Sequence, residues 1–467
     1  MKTVAERAEA APAAMPAGRG GWPRLPPAVW LVLVAAHVLA AAYALSTKHY
    51  LFPDSDRYLQ AAQNIGQHGQ LYARPWPAGP PTGQAVQEFS IRPAGYPLLL
   101  LVLGAPLGVV LVQNVLSIGV LAVVLSGWAA GGPRPASFGA WARALGLALS
   151  FPAQLIYASA VMSELALQAV LVLGLGLAAG FARSGRARYL AGVAAALTVA
   201  WLLKPVFVPG TVLFSLVVVW LAWRRRRPLL LLVGAAPLVL AVGYMGWNWQ
   251  RTGYFHFSSI STINLLHYNA AGVVRQVRGP AAEEAWVAQT LRQANAQPTF
   301  AARQATIETA AVAVVRQYPV RYAAQHLVGM GTFFLDPGRF DSSVFLGQNQ
   351  SAGLLAALRS QGVAGVVRGV AQQSALLAAL LLITLLANGL RLVLALRGLW
   401  RCHPQGSPSQ RDWLGLATAG GRWRVVALLL YLALLTGPLG AARFLVPGWP
   451  LLLALALRGL PRAPQAQ

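Results

Sequence analysis

Long apolar runs recur along almost the whole chain, and they decide the class of fold before any motif is considered. AVWLVLVAAHVLAAAYALS at 28–46 is the first, and others follow at 106–130, 139–153, 164–181, 190–203, 205–223, 228–247, 372–390, 425–440 and 443–458. Most are long enough to cross about 30 Å of hydrocarbon as a helix, which satisfies its backbone N–H and C=O groups internally. With 57% hydrophobic and 10% charged residues over 467 positions, there is too little polar surface to clothe a soluble globule. The expected fold is an all-α polytopic membrane protein with ten such runs.

The charges assign the sides. Lys2, Arg7, Arg19 and Arg24 precede the first run; Arg134 and Arg143, RSGRAR at 183–188, RRRR at 224–227, the Arg-bearing segment 391–424, and Arg458 with Arg462 follow at alternate loops. With a cytoplasmic N-terminus every short basic loop falls inside, as the positive-inside rule requires. Acids do the reverse. Asp54, Asp56, Glu88, Glu164, Glu283, Glu284, Glu308, Asp336 and Asp341 fall outside, and only Glu6, Glu9 and Asp412 inside.

That asymmetry accounts for the net charge of +25. No basic stretch is interleaved with aromatics on a polar face, so nucleic acid is not an expected partner and the bilayer is. The single cysteine, Cys402, excludes an intrachain disulfide and a cysteine metal cluster. Phosphate-loop, dinucleotide-fold and nucleophile-elbow motifs are missing. Anionic lipid is a natural neighbour for RRRR, although a topology anchor suffices to explain it.

The organisation follows: a disordered cytoplasmic tail (1–27), an N-terminal transmembrane module (28–247) whose first loop is 47–95, an extracytoplasmic helical region (248–371), C-terminal transmembrane helices (372–460) and a short cytoplasmic tail (461–467). In the third part AAEEAWVAQTLRQAN and RQATIETAAVAVVRQ carry apolar residues at helical spacing. The stretch 318–338 is apolar but punctuated by Arg321 and His326, which suits the interface better than a span.

The first loop holds two of only twelve acidic residues. After Pro53, the string DSDRYLQAAQNI places Tyr58, Leu59, Ala62 and Ile65 on one stripe with Arg57, Gln60 and Gln63 opposite, a short amphipathic helix stopped at Gly66. Asp54 or Ser55 is its N-cap, and Asp56 sits in the first turn, capping or paired with Arg57. Asp54 has two readings: a helix cap, or a carboxylate at the mouth of a bundle that accepts a proton from an attacking hydroxyl. Arg92 stands where the chain turns back into the bilayer, and Glu164 at an outer helix end. Lys204 lies between two apolar runs, a costly place unless it meets water or an anion, and Arg443 opens the last run on the same side. Lys204, Arg92 and Arg443 are thus candidate phosphate ligands. His256 and His267 lack metal-ligand spacing, so no metal site is expected from histidine; a divalent cation at Asp54 stays open.

In chain order, PDSDRY at 53–58, RPAGYPLLL at 92–100, MSELALQ at 162–168, LLKPVFVPG at 202–210, the W-N-bearing segment 247–273 and ARFLVPGWPLLLALA at 442–456 resemble the GT-C superfamily of integral-membrane glycosyltransferases. The likeness is to the family 39-like branch, related to protein O-mannosyltransferases and lipid A aminoarabinose transferases. It implies a GT-C-like bundle in a bacterial cytoplasmic (inner) membrane with its active site outside. It also implies a polyprenyl-phosphate sugar donor, an acceptor that is not specified, and inversion at the sugar carbon. Asp54 would be the general base and Glu164 a second acid, with Asp56, Tyr58, Tyr96, Asn248, His267 and Asn269 lining the substrate. The mannosyltransferases carry adjacent acids in this loop, whereas Ser55 separates Asp54 from Asp56. Two rivals stand beside this expectation: a non-catalytic lipid or solute transporter, and a structural membrane protein.

Overall fold

In a computed structural model the chain is described over residues 25–104, 106–130, 137–348, 364, 374–401 and 412–461. The expectations for the N-terminal tail before residue 25, for Arg134, for Cys402 and for the tail from Arg462 lie outside these residues.

Among the described residues the chain is entirely helical, with no strand. In order the helices are α1 (Pro27–Thr47), α2 (Ser55–His68), α3 (Gly95–Leu103), α4 (Pro106–Ala130), α5 (Phe138–Leu149), α6 (Pro152–Ala158), α7 (Glu164–Ser184), α8 (Ala187–Leu203), α9 (Val208–Arg224) and α10 (Leu230–Thr252). Then come α11 (Ile260–Asn264), a π-helical turn at Leu265–Ala270, α12 (Ala271–Arg278), α13 (Pro280–Asn295), α14 (Phe300–Gln317), α15 (Pro319–Leu335) and α16 (Arg339–Phe345). The last are α17 (Ala375–Trp400), α18 (Ala419–Thr436), α19 (Ala442–Leu445) and α20 (Trp449–Gly459). Among the described residues seven helical stretches are long and apolar enough to cross a membrane, and two shorter apolar helices, α5 and α8, accompany them.

The starts of these helices are written in the sequence. Ser137, Thr299, Ser374 and Thr418 each accept a backbone N–H of the first turn through the side-chain oxygen. The long helices turn Leu31, Leu39, Leu232 and Leu386 outward, the apolar exterior a bilayer covers. At the centre is α20, in which every residue from Trp449 to Leu457 is buried. It lies so close to α17 that a Cβ on Gly398 would fall 2.0 Å from the Leu455 carbonyl oxygen. Small residues at such crossings let two backbones meet in the membrane.

Four expectations need correction. The final run is no single span: α18 stops before Gly437, and 3-10 turns at 437–439 and 446–448 isolate the four-residue α19 before α20 begins. Pro438, Pro447 and Pro450 remove backbone donors from any continuous ladder there. The run 139–153 is broken too, because Pro152 starts a new helix. α2 passes through Gly66 and ends at Gly69, which takes the left-handed conformation (φ 66°) that a C-terminal cap favours. Finally, α17 continues to Trp400, so Arg391 lies within it, 1% exposed, rather than in a basic loop.

The connection from α10 to α11, together with α14, packs against the first loop. Ser258 Oγ donates to the Ser90 carbonyl at 2.8 Å, His256 Nε2 meets Ser90 Oγ at 2.7 Å, and Arg303 reaches Gln87.

Candidate active site

The geometry of Asp54 separates its two readings. It occupies the N-cap position of α2 but makes no capping bond through its side chain. Ser55 instead ties the loop down: its Oγ accepts from the Phe52 N–H (2.8 Å) and donates to the Val161 carbonyl (2.9 Å). Both oxygens of Asp54 therefore face cations. Arg92 Nη2 donates to Oδ1, and Arg443 Nη2 donates to Oδ2 at 2.6 Å.

Arg443 continues the network. Its Nε donates to Glu164 Oε1 at 2.7 Å, and Lys204 Nζ donates to the same oxygen at 2.7 Å. Glu164 is wholly buried, and neither its Oε2 nor Arg92 Nε has a hydrogen-bond partner among the described residues. Three cations and two carboxylates thus form one cluster with a net charge of one positive, in which Glu164 and Arg92 are buried and Asp54, Lys204 and Arg443 are partly exposed.

Each member is delivered by a local feature. The turn before α3 brings Arg92 in, and Gly95 allows it: a Cβ there would lie 2.7 Å from the Leu202 carbonyl oxygen, two residues before Lys204. Lys204 takes extended backbone between α8 and the 3-10 turn opened by Pro205, a residue that disfavours helix before it. Arg443 is carried by α19 between its two 3-10 turns.

Tyr58 and Tyr96 are buried beneath the cluster. The Arg92 guanidinium lies 5.1 Å from the Tyr58 ring centre, Tyr58 packs edge-on against Tyr96, and Tyr96 donates to Gln113 Oε1 at 3.1 Å.

Burial alone would raise the Asp54 carboxyl pKa, but Arg443 and Arg92 outweigh that and hold it well below the usual carboxylate range. Asp54 is ionised throughout the physiological pH range.

Two acids that sequence reasoning used only for sidedness stand close by. Asp336 Oδ2 accepts the Ala442 N–H at 2.8 Å, one residue before Arg443. Asp341 is buried and accepts the Tyr157 hydroxyl at 2.7 Å. Burial pushes its carboxyl up to about 7, against the opposing effect of that hydrogen bond. A D-P-G and an F-D-S are ordinary turn and cap sequences, so neither acid stood out.

The other sequence candidates are not joined to the cluster by hydrogen bond or ion pair. Asp56 is exposed, and Arg57, its expected partner, pairs with Glu88 at 3.3 Å instead. Asn248 Nδ2 donates to the His256 and Phe257 carbonyls, fixing the loop after α10. Asn269 bridges the Asn264 carbonyl and the Tyr322 hydroxyl, and His267 is exposed on the π-helical turn. In this arrangement a divalent cation at Asp54 would have to displace a guanidinium group. Both Asp54 oxygens are taken by guanidinium groups, and among the described residues no three His, Cys, Asp or Glu side chains gather to hold a metal ion.

An apolar groove of about 300 Å³ runs between α7, α8, α9 and α18, lined by Leu171, Gly174, Ala200, Phe207, Leu213 and Leu428 among others. It begins one helical turn from the cluster, since the Lys204 N–H donates to the Ala200 carbonyl at 2.8 Å.

No family model matches the chain, and no curated protein is a significant match. Among solved structures the chain is similar to ArnT from Cupriavidus metallidurans bound to undecaprenyl phosphate, at 17% identity and a TM-score of 0.34 over 93% of this chain and 77% of that one. It is likewise similar to the same protein in the apo state, at 16% identity and a TM-score of 0.34 over 92% and 76%. Similarity at that level leaves the functional reading to the site itself.

Proposed function

We propose that this protein is a membrane glycosyltransferase that moves a sugar from a polyprenyl-phosphate donor to an acceptor hydroxyl or amine at the outer face of the bilayer. The observation that carries the reading is the partly buried cluster of Asp54, Glu164, Arg92, Lys204 and Arg443, with its one surplus positive charge. A phosphodiester linking a sugar to a lipid carries one negative charge. It neutralises the cluster, and fixed cations in a site of low dielectric stabilise the phosphate as it leaves. The groove beside Lys204 supplies an apolar seat for the first part of the lipid chain.

In the proposed reaction the acceptor oxygen or nitrogen attacks the anomeric carbon from the face opposite the phosphate. The carbon–oxygen bond to phosphate breaks, and polyprenyl phosphate departs with the electron pair. The acceptor proton passes to Asp54. Held by two guanidinium groups, Asp54 is a weak base; when the donor phosphate recruits Arg443 and Arg92, the carboxylate is released and its basicity rises. Donor binding and activation of the base are one step.

The test uses purified protein in nanodiscs with a polyprenyl-phosphate sugar and a membrane lipid extract as acceptor source, following release of free polyprenyl phosphate. Asp54→Asn should abolish release and keep donor binding. Release near the wild-type rate in that variant, or passage of the donor across liposomes chemically unchanged, overturns the reading in favour of another role or of a transporter.

A further inference from the structure

Arg443 touches both carboxylates of the cluster, yet the helix that carries it cannot hold itself. α19 is four residues long, and forming a first helical turn in isolation is unfavourable. Its fixed position must come from outside.

Two side chains reach it. Asp336, at the end of α15, accepts the Ala442 N–H through Oδ2 and the Gly338 N–H through Oδ1 (3.2 Å), so one carboxylate fastens the start of α19 to the turn before α16. On the far side Gln168 of α7 donates to the Val446 carbonyl, and it is itself locked by a reciprocal pair with Gln154 at 2.8 Å.

The Asp336 tether has its own anchor inside the bundle. Asn388 Nδ2 donates to the Leu335 and Asp336 carbonyls at 3.1 and 3.0 Å, occupying the acceptors left over where α15 ends. Asn388 in turn receives a hydrogen bond from the buried Arg391, whose Nη1 donates to Ser150 Oγ at 3.0 Å and whose guanidinium lies 4.8 Å from the Trp449 ring centre. An arginine buried in a membrane helix demands a reason. Its place in this chain of contacts gives one.

We propose that Asp336 is a positioning residue for Arg443: through the Ala442 N–H it sets where the Arg443 guanidinium stands, with Asn388 and Arg391 holding Asp336 in turn. The role rests on the proposed function only insofar as Arg443 receives a lipid phosphate. What matters for Arg443 is the acceptor on the Ala442 N–H; Asn can still supply that one, but its NH2 cannot accept the Gly338 N–H as the second Asp336 oxygen does.

The experiment compares Asp336→Ala, Asp336→Asn, Arg443→Ala and the Asp336→Ala/Arg443→Ala double variant in nanodiscs. Amide hydrogen exchange over 440–448 is measured without ligand, and undecaprenyl phosphate affinity by native mass spectrometry. Exchange in that segment should rise in Asp336→Ala and rise less in Asp336→Asn, which keeps one of the two acceptors. Affinity should fall by about tenfold in Asp336→Ala and by less than about threefold in Asp336→Asn, while the double variant is no weaker than Arg443→Ala alone. Unchanged exchange in Asp336→Ala, or affinity losses that add in full, overturns the proposal. If the wild type does not bind undecaprenyl phosphate but exchange responds as described, the positioning role stands and the donor assignment falls.

Discussion

Arg443 Nη2 lies 2.6 Å from Asp54 Oδ2, although 389 positions of sequence separate the two residues. The same guanidinium reaches Glu164 through its Nε. One side chain near the end of the bundle thereby bridges an acid of the first loop and an acid at the head of α7.

Removing Arg443 leaves Glu164 buried with Lys204 alone and Asp54 with Arg92 alone. Arg443→Ala should destabilise the fold by about 1.5–3 kcal/mol, the loss of charged hydrogen bonds where each acid keeps one cation. Arg443→Lys should recover part of that stability but not turnover, because an ammonium cannot present two separated donors in a fixed plane. Thermal unfolding in nanodiscs and the release assay read the two effects separately.

Neutralising Glu164 should act in the opposite direction on the lipid. Glu164→Gln raises the net charge of the cluster from one positive to two, so free undecaprenyl phosphate should bind more tightly while turnover slows at product release. Weaker binding in this variant would argue that the cations do not receive the phosphate.

Asp341 gives the site a pH dependence with a defined sign. Its carboxyl stands at about 7 in the folded protein, above the unfolded value of 3.8. The folded state therefore keeps a proton that the unfolded chain has already lost, and Asp341's effect is to lower stability progressively as pH rises from about 4 to about 7. Melting temperatures should drop between about pH 5.5 and about pH 8 in the wild type and drop less in Asp341→Asn. Above neutrality the new negative charge near Arg443 should also weaken donor binding, and the variant should lack that loss.

Gly174 lines the apolar groove, where an added Cβ would meet only the Ala196 Cβ, at 3.4 Å. Gly174→Ala should be tolerated. Gly174→Leu should fill the groove and weaken binding of long-chain polyprenyl phosphate by about tenfold while sparing a short-chain analogue, which needs little of the groove. Equal loss for both chain lengths would mean that the lipid lies elsewhere.

The spans were legible because hydropathy and basic loops are properties of contiguous residues. So was the short helix of the first loop, whose buried face includes Tyr58 and Ala62 as its spacing predicts. The breaks were harder. Pro447 and Pro450 were visible, but an apolar run surrounding them reads as one helix until packing decides otherwise. Arg391 works in the other direction: a charge in sequence reads as the end of a span, whereas Asn388, Ser150 and two aromatic rings make its burial tolerable. At the site, Asp54, Glu164, Lys204, Arg92 and Arg443 each stood out as a charge in an apolar setting. Asp336 and Asp341 did not, since their importance lies in partners far away in sequence. Asn248 and Asn269 attracted notice by type, and the structure uses them to tie loops to backbone carbonyls and to a tyrosine.

The four-residue helix bearing Arg443 also ties chemistry to biogenesis. A ribosome releases Asp54 and Glu164 long before Arg443, and in that interval the nascent half-site lacks the guanidinium that links its two acids. Insertion of one late turn closes this gap. On the proposed function, the turn that completes the fold in the bilayer therefore also completes the seat for the donor phosphate.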